Sequence, residues 1–222
     1  MHNFCILLLH LFFLGTFILG SLRVGAMALH VTLCTIAVGM NLFVMKQINL
    51  CGLDVTATDS LAVAYILGLN LFQEYYGKKQ ARFHVFISFM ICGLFCLMSI
   101  LHLSYTPNSY DLMNGHYVAI LSNMPRIIIT SICSFILVQF LDIAFFQYLR
   151  ERMEKKWLIL RTTISLILSQ GLDTLIFTFF ALYGLVGNIW HIMIVSLAIK
   201  LIVIGLCVPI THLSKKMVKP CA

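Results

Sequence analysis

The segment "LAVAYILGLNLFQEYYGKKQAR", residues 61–82, begins as an apolar run and ends in a basic cluster. An apolar run of about 20 residues is long enough to cross a bilayer as a helix. Glu74 lies at the end of this run, where a carboxylate is costly in a membrane and normally has a partner. The basic residues after Gly77 are typical of a cytoplasmic loop. The segment therefore predicts a membrane helix with a carboxylate near its cytoplasmic end.

The composition of the whole chain also indicates a membrane protein. Of its 222 residues, 61% are hydrophobic and only 10% are charged, and the mean hydropathy is +0.99. A soluble domain of this length has about 25% charged residues. The net charge of +7 comes from short loops between apolar runs, so we expect no nucleic-acid partner. The partner that the composition predicts is the lipid bilayer.

Six apolar runs are each long enough to span the bilayer, and no soluble domain fits between them. They lie at about 26–45, 54–73, 84–104, 126–148, 162–184 and 188–213. The alternating pattern of a transmembrane barrel is absent. The sequence therefore predicts an all-α, polytopic integral membrane protein with a six-helix transmembrane core. This core makes one domain, residues 26–213, which a basic cytoplasmic tail follows at 214–222.

Residues 1–25 contain a shorter apolar run, "FCILLLHLFFLGTFILG", at 4–20. It has three interpretations: an extra membrane helix, a mis-assigned start before a natural start at Met27, or a cleaved signal peptide. A signal peptide normally begins with a positively charged region, and only His2 precedes this run. An extra N-terminal helix is the favoured interpretation.

The lysines and arginines indicate the orientation of the core. They cluster after the second, fourth and sixth core helices: Lys78, Lys79, Arg82, Arg150, Arg152, Lys155, Lys156, Arg161, Lys215, Lys216 and Lys219. The alternate loops contain few basic residues. By the positive-inside rule both ends of the six-helix core of this multi-pass protein are cytoplasmic.

Several polar residues fall within the apolar runs. The charged ones are Glu74, Asp142, Asp173 and Lys200, and the uncharged ones include Asn41, Asn70, Gln139, Ser169 and Gln170. A charge near the bilayer centre costs roughly 2.5–3.5 kcal/mol on insertion scales and normally faces a partner or a cavity. These residues are therefore candidates for a functional site, although Asp173 and Lys200 can also form a structural ion pair.

Two segments share one pattern, Gln-x-Leu-Asp-x-x-x-Phe: "QFLDIAFF" at 139–146 and "QGLDTLIF" at 170–177. Within each, the Gln, Asp and Phe share one helix face. Carboxylates and amides can hydrogen-bond a guanine-like edge, and phenylalanine rings can stack on a flat ring. The pattern predicts a cradle for a small planar heterocycle, formed by Gln139, Asp142, Phe146, Gln170, Asp173 and Phe177. The alternative is ordinary hydrogen bonding between helices, at about 0.6 kcal/mol per bond.

The histidines and cysteines show no ligand spacing along the chain, so we predict no metal site and no cofactor. The eight cysteines include no Cys-x-x-Cys pair, and most lie in apolar runs. No serine, histidine and aspartate arrangement indicates a hydrolase.

Residues from about 26 to 213 resemble the family of vitamin uptake transporters, also called queuosine precursor transporters. The segment "EYYGKKQAR", residues 74–82, matches the end of the second helix in that family. Further matches are Asn41, Lys46, Gln139, Asp142, Arg161, Ser169, Gln170, Asp173, Phe177, Lys200 and Pro209. One position differs, because Asn70 replaces an aspartate that normally precedes the glutamate by four residues.

The resemblance implies a transporter and not an enzyme. It implies uptake of 7-deazaguanines, such as preQ0, preQ1 or queuine, across a bacterial inner membrane. With no nucleotide-binding domain in the chain, transport would be secondary or facilitated, and coupling to protons and assembly into a homo-oligomer both stay open. The candidates for gating or coupling are Asn41, Lys46, Asn70, Glu74 and Lys200. Two alternatives remain: a substrate-binding subunit of a larger uptake system, and a membrane-embedded enzyme with Asp173 and Lys200 as acid–base residues.

Overall fold

The computed structural model describes residues 2–43, 46–50, 53–122, 124–153, 157–182 and 189–217. Within these ranges the chain forms eight helices and one hairpin: α1 (His2–Val24), α2 (Ala26–Phe43), β1 (Gln47–Leu50), β2 (Leu53–Thr56), α3 (Asp59–Tyr76), α4 (Lys78–Leu103), α5 (Asn114–Leu121), α6 (Met124–Arg152), α7 (Leu158–Leu182) and α8 (Ile189–Met217). Lys155, Lys156 and Lys219, which contributed to the predicted orientation, lie outside the described residues.

The prediction of an all-α polytopic membrane protein is confirmed. Within the described ranges, five helical segments are long and apolar enough to span a bilayer: α1, α2, α4, Ile132–Arg152 of α6 and Leu158–Phe180 of α7. The predicted helix at 54–73 begins too early, because residues 53–56 pair with 47–50 as an antiparallel hairpin. The short helix α5 was not expected from the sequence either.

Helix α3 lies at the centre of the bundle. Residues on all of its sides are buried, from Asp59 to Tyr75, and it packs against α1, α2, α4, α6, α7 and α8. Its sequence is less apolar than the five spanning segments, and its polar side chains, among them Asn70, Gln73 and Glu74, are buried within the bundle. A polar helix of this kind requires partners on its neighbours.

The N-terminal run forms a helix that packs into the bundle. Buried leucines along α1 join the same apolar core as α2 and α3. The Tyr76 hydroxyl at the end of α3 donates to the Leu22 carbonyl at 3.2 Å, and His10 Nδ1 lies 3.2 Å from the Ser60 hydroxyl. Helix α1 therefore contacts both ends of the central helix.

Most of the predicted cytoplasmic segments meet at one end of the bundle. The Tyr75 hydroxyl on α3 donates to the Ser214 hydroxyl on α8 at 3.2 Å, and Arg150 Nη1 on α6 donates to the Gln73 carbonyl at 3.4 Å. Gly77, with φ 88°, makes the tight turn from α3 into α4, a conformation that favours glycine. The basic residues that begin α4 and end α6 are therefore close together.

Candidate functional site

Glu74 on α3 forms an ion pair with Arg161 on α7. Its Oε1 is paired with Nη2 of Arg161, and the two side chains are only 2% and 1% exposed. Arg150, at the end of α6, places its Nε 3.8 Å from Oε2 of the same carboxylate and is 24% exposed. Glu74 therefore has two arginine partners at the end of the bundle where the basic segments meet.

Arg161 matches the family that the sequence resembles, but it was not among the predicted site residues. It was assigned to a basic loop because the fifth core helix was expected to begin at 162. The helix begins at Leu158, so Arg161 lies in its first turn, and its guanidinium carbon is 5.7 Å from the centre of the Phe146 ring. Phe146 is fully buried beside this cation.

Asp142 on α6 faces two hydroxyl groups on α7. Its Oδ1 accepts a hydrogen bond from the Ser165 hydroxyl at 2.6 Å and another from the Ser169 hydroxyl. Its Oδ2 is buried and has no hydrogen-bond partner among the described residues. The serines are four residues apart and so share one face of α7, a pattern of which the sequence analysis selected only Ser169. Asp142 therefore keeps one acceptor oxygen available.

Three buried amides on the helices that contain Asp142 and its partners also have unused hydrogen-bonding groups. Asn70 lies one turn before Glu74, Gln139 one turn before Asp142, and Gln170 next to Ser169. Both polar atoms of Asn70 and Gln170, and the oxygen of Gln139, are buried without a partner among the described residues. They belong to α3, α6 and α7, which pack against one another. In a membrane such groups are costly unless a ligand or water satisfies them.

Lys200 on α8 pairs with Asp173 on α7, at 3.0 Å from Nζ to Oδ2. Its ammonium also donates to the Thr174 hydroxyl at 3.1 Å, and Asp59 at the start of α3 adds a second attractive charge. Lys200 is almost fully buried, whereas the Asp173 side chain is 26% exposed. Asp173 therefore combines an internal partner with an accessible face.

The remaining predicted residues occupy other surroundings. Asn41 is buried in α2, where its amide nitrogen donates to the Ala37 carbonyl at 2.9 Å and lies 3.7 Å from Cys92 Sγ. Lys46 is exposed and precedes β1. Phe177 is partly buried in α7. Their predicted roles in gating and substrate binding stay predictions.

Comparison with known proteins shows to which family this chain belongs. A model of the family described as "Putative vitamin uptake transporter" matches residues 60–214. The chain belongs to this family. It is also 30% identical over 199 residues to a protein of Bacillus subtilis (strain 168) named "Probable queuosine precursor transporter", an alignment that covers 87% of this chain and 86% of that one. No solved structure matches the chain.

The vitamin uptake transporter match covers most of the site described above. It runs from the second residue of α3 to the last turn of α8 and so includes Glu74, Asp142, Arg161, Asp173 and Lys200. Asn41 and Lys46 precede the matched region. The polar centre of this bundle is thus the centre of a membrane transporter.

Proposed function

We propose that this chain imports queuosine precursors, 7-deazaguanines such as preQ0, preQ1 or queuine, across the bacterial inner membrane as a secondary or facilitated transporter. Membership of the transporter family and the similarity to the queuosine precursor transporter of Bacillus subtilis support this proposal. The supporting observation within this chain is the set of unsatisfied amides around Asp142.

The chemistry of these groups suits a guanine-like edge. A deazaguanine ring presents N–H donors beside a carbonyl acceptor, as guanine does. The free Oδ2 of Asp142 can accept from the donors, and the amides of Gln139 and Gln170 can both donate and accept. A sugar would need many more hydroxyl partners, and a lipid would need none. A flat, polar heterocycle therefore satisfies the groups that the protein leaves unpaired.

The ion pair between Glu74 and Arg161 is the proposed inner gate. It joins α3 to α7 at the end where the basic segments meet, and Arg150 extends it to α6. Substrate leaving the cradle toward the cytoplasm must pass this contact, so its opening would couple release to a movement of α7. Lys200 is proposed for coupling, because its partner Asp173, itself a predicted cradle residue, is partly exposed and can exchange protons with water.

The proposal is tested by complementation in a bacterial strain that can neither make nor import queuosine precursors. Cells expressing this chain alone, and given preQ0, preQ1 or queuine, are expected to contain queuosine in their tRNA. Gln139→Leu and Gln170→Leu are expected to abolish the gain. The matched control is Gln80→Leu, in the first turn of α4, because the Gln80 side chain is exposed.

The same assay separates the alternatives. A substrate-binding subunit would support uptake only together with a further energising complex. Uptake that requires this complex, and is absent when the chain is expressed alone, would favour this alternative. An enzyme would change the precursor, which mass spectrometry of the accumulated compound detects. No queuosine with any precursor, from a chain shown to reach the membrane, would refute the proposal.

A further inference from the structure

A second polar cluster lies between α2 and α4. It comprises His30 and Cys34 on α2 and His84 on α4, whose ligand atoms all lie within 4.8 Å of one another. The two imidazoles meet at 2.8 Å between their Nδ1 atoms. The four-residue spacing of His30 and Cys34 puts both on the face that meets α4. Spacing along the sequence could not reveal this group because its members come from two helices.

We propose that His30, Cys34 and His84 bind a thiophilic d10 metal cation, Cu⁺ or Zn²⁺. Thiolate and imidazole are the ligands that these ions share, whereas Mg²⁺ and Ca²⁺ prefer oxygen. Bonds of about 2.0–2.3 Å to one ion would place the three donor atoms roughly 3.3–3.8 Å apart. The separation of the two Nδ1 atoms, 2.8 Å, is below this range, and no pair of the three donor atoms is more than 4.8 Å apart. Small side-chain rotations, easiest for the partly exposed His30, therefore bring the three atoms onto one ion.

The contacts around His84 fix the orientation of its ring, which a metal-binding histidine requires. Its Nε2 lies 3.1 Å from the Tyr65 hydroxyl and 3.2 Å from the Ser88 hydroxyl. The ring also stacks on Phe72, with centroids 5.4 Å apart and an interplanar angle of 30°. A ligand histidine normally hydrogen-bonds through its second nitrogen, which fixes the ring and its tautomer. These contacts direct Nδ1 of His84 toward Nδ1 of His30, and Cys34 Sγ lies 3.4 Å from the same Ser88 hydroxyl.

The charge of the cluster favours the monovalent ion. Two neutral imidazoles and one thiolate form a neutral complex with Cu⁺ but a cationic one with Zn²⁺. Among the described residues, no carboxylate forms an ion pair with this cluster, and an uncompensated charge inside a membrane bundle is costly. Zn²⁺ would need a fourth, anionic ligand such as hydroxide, which the partly exposed side of His30 can admit. In either form the ion would join α2 to α4 beside the central helix.

The experiment uses the full chain, purified in detergent with a tag that contains no histidine. It is incubated with Cu⁺ under reducing conditions or with Zn²⁺, each buffered by a competing chelator, and the retained metal is measured by mass spectrometry. We expect about one equivalent of one ion per chain. His84→Asn and Cys34→Ala are expected to weaken binding by at least about tenfold. His102→Asn on α4 and Cys133→Ala on α6, both exposed, are the controls and should retain full binding.

Comparison of the Cu⁺ and Zn²⁺ incubations identifies the ion. A further variant covers the case in which a ligand variant misfolds. If His84→Asn or Cys34→Ala aggregates on size-exclusion chromatography, metal binding is measured on His30→Asn in its place. His30 is partly exposed, so its substitution removes a ligand with less loss of packing. Absence of stoichiometric binding of either ion to the native chain would overturn the proposal. Equal binding by the native chain and the folded ligand variants would also overturn it, and would leave His30 and His84 as a hydrogen-bonded pair.

Discussion

Arg161 and Glu74 form an ion pair that water barely reaches, with only 1% and 2% of their side chains exposed. Burying two charges is costly, and the attraction between them offsets that cost only while both are present. The pair joins the first turn of α7 to the last turns of α3. The carboxylate that ends the apolar run of α3 therefore fixes α7 against the central helix.

Removing one member of this pair should destabilise the protein strongly. Glu74→Gln leaves the Arg161 guanidinium buried without its counter-charge, which we expect to cost about 3–5 kcal/mol. Thermal unfolding in detergent should show a midpoint lower by several degrees. Because Glu74→Gln with Arg161→Met removes both charges, the double variant should recover much of this loss.

The control for this cycle is Glu151→Gln, at the exposed end of α6, which should leave the midpoint unchanged. Equal midpoints for Glu74→Gln and the native chain would show that the pair adds nothing to stability. Additive losses in the double variant would show that the two side chains do not interact.

Asp142→Asn should weaken substrate binding while leaving the fold intact. The asparagine oxygen can still accept from Ser165 and Ser169, so we expect a midpoint within a few degrees of the native one. The charge on Oδ2 is lost, and a hydrogen bond to a charged group contributes about 1.5–3 kcal/mol. Precursor uptake in the complementation strain should therefore fall at least about tenfold.

Asp111→Asn, in the exposed loop before α5, is the matched control and should transport normally. Full uptake by Asp142→Asn would remove this residue from the cradle. A loss of folding that matches the loss of uptake would assign Asp142 a structural role only.

Close packing of α2 on α3 gives a prediction about stability. A methyl group at Gly68 would overlap the side chain of Leu33, which is itself fully buried and has little room to move. We expect Gly68→Ala to cost about 1–3 kcal/mol by overpacking. Combined with Leu33→Ala, which opens space, the loss should be clearly less than additive. Gly93→Ala on α4 meets no atom within 4 Å and should cost nothing.

The sequence predicted the bundle because long apolar runs carry the information for spanning helices. It did not decide whether Arg161 lies in a loop or in a helix, because a charged residue at the border of an apolar run is compatible with both. It also missed the hairpin, because residues 53–56 continue directly into the apolar run of α3. Asp142 was predictable as a buried carboxylate, but its serine partners became visible only when α6 and α7 were packed together. Contacts between helices are set by packing, which single-helix patterns do not contain.

The orientation of the bundle can be tested by cysteine labelling. By the distribution of basic residues, Lys79 at the start of α4 should face the cytoplasm and Tyr110, in the loop after α4, should face the outside. On intact cells an impermeant thiol reagent should label Tyr110→Cys, and should label Lys79→Cys only after permeabilisation. The native chain reports the background from its own exposed cysteines, Cys5 and Cys133. The reverse labelling pattern would contradict the predicted orientation.

Asn70 offers a test of substrate preference, because the resemblance to the family implies an aspartate at this position. Both polar atoms of Asn70 are buried without a partner among the described residues, one turn from Glu74. Asn70→Asp adds a negative charge there, which should attract the aminomethyl cation of preQ1 but not the uncharged nitrile of preQ0. We expect the ratio of preQ1 to preQ0 uptake to rise about fivefold, which corresponds to roughly 1 kcal/mol. The control is Asn108→Asp, in the exposed loop after α4, which should leave the ratio unchanged. An unchanged ratio in a folded Asn70→Asp protein would show that this side chain does not face the substrate.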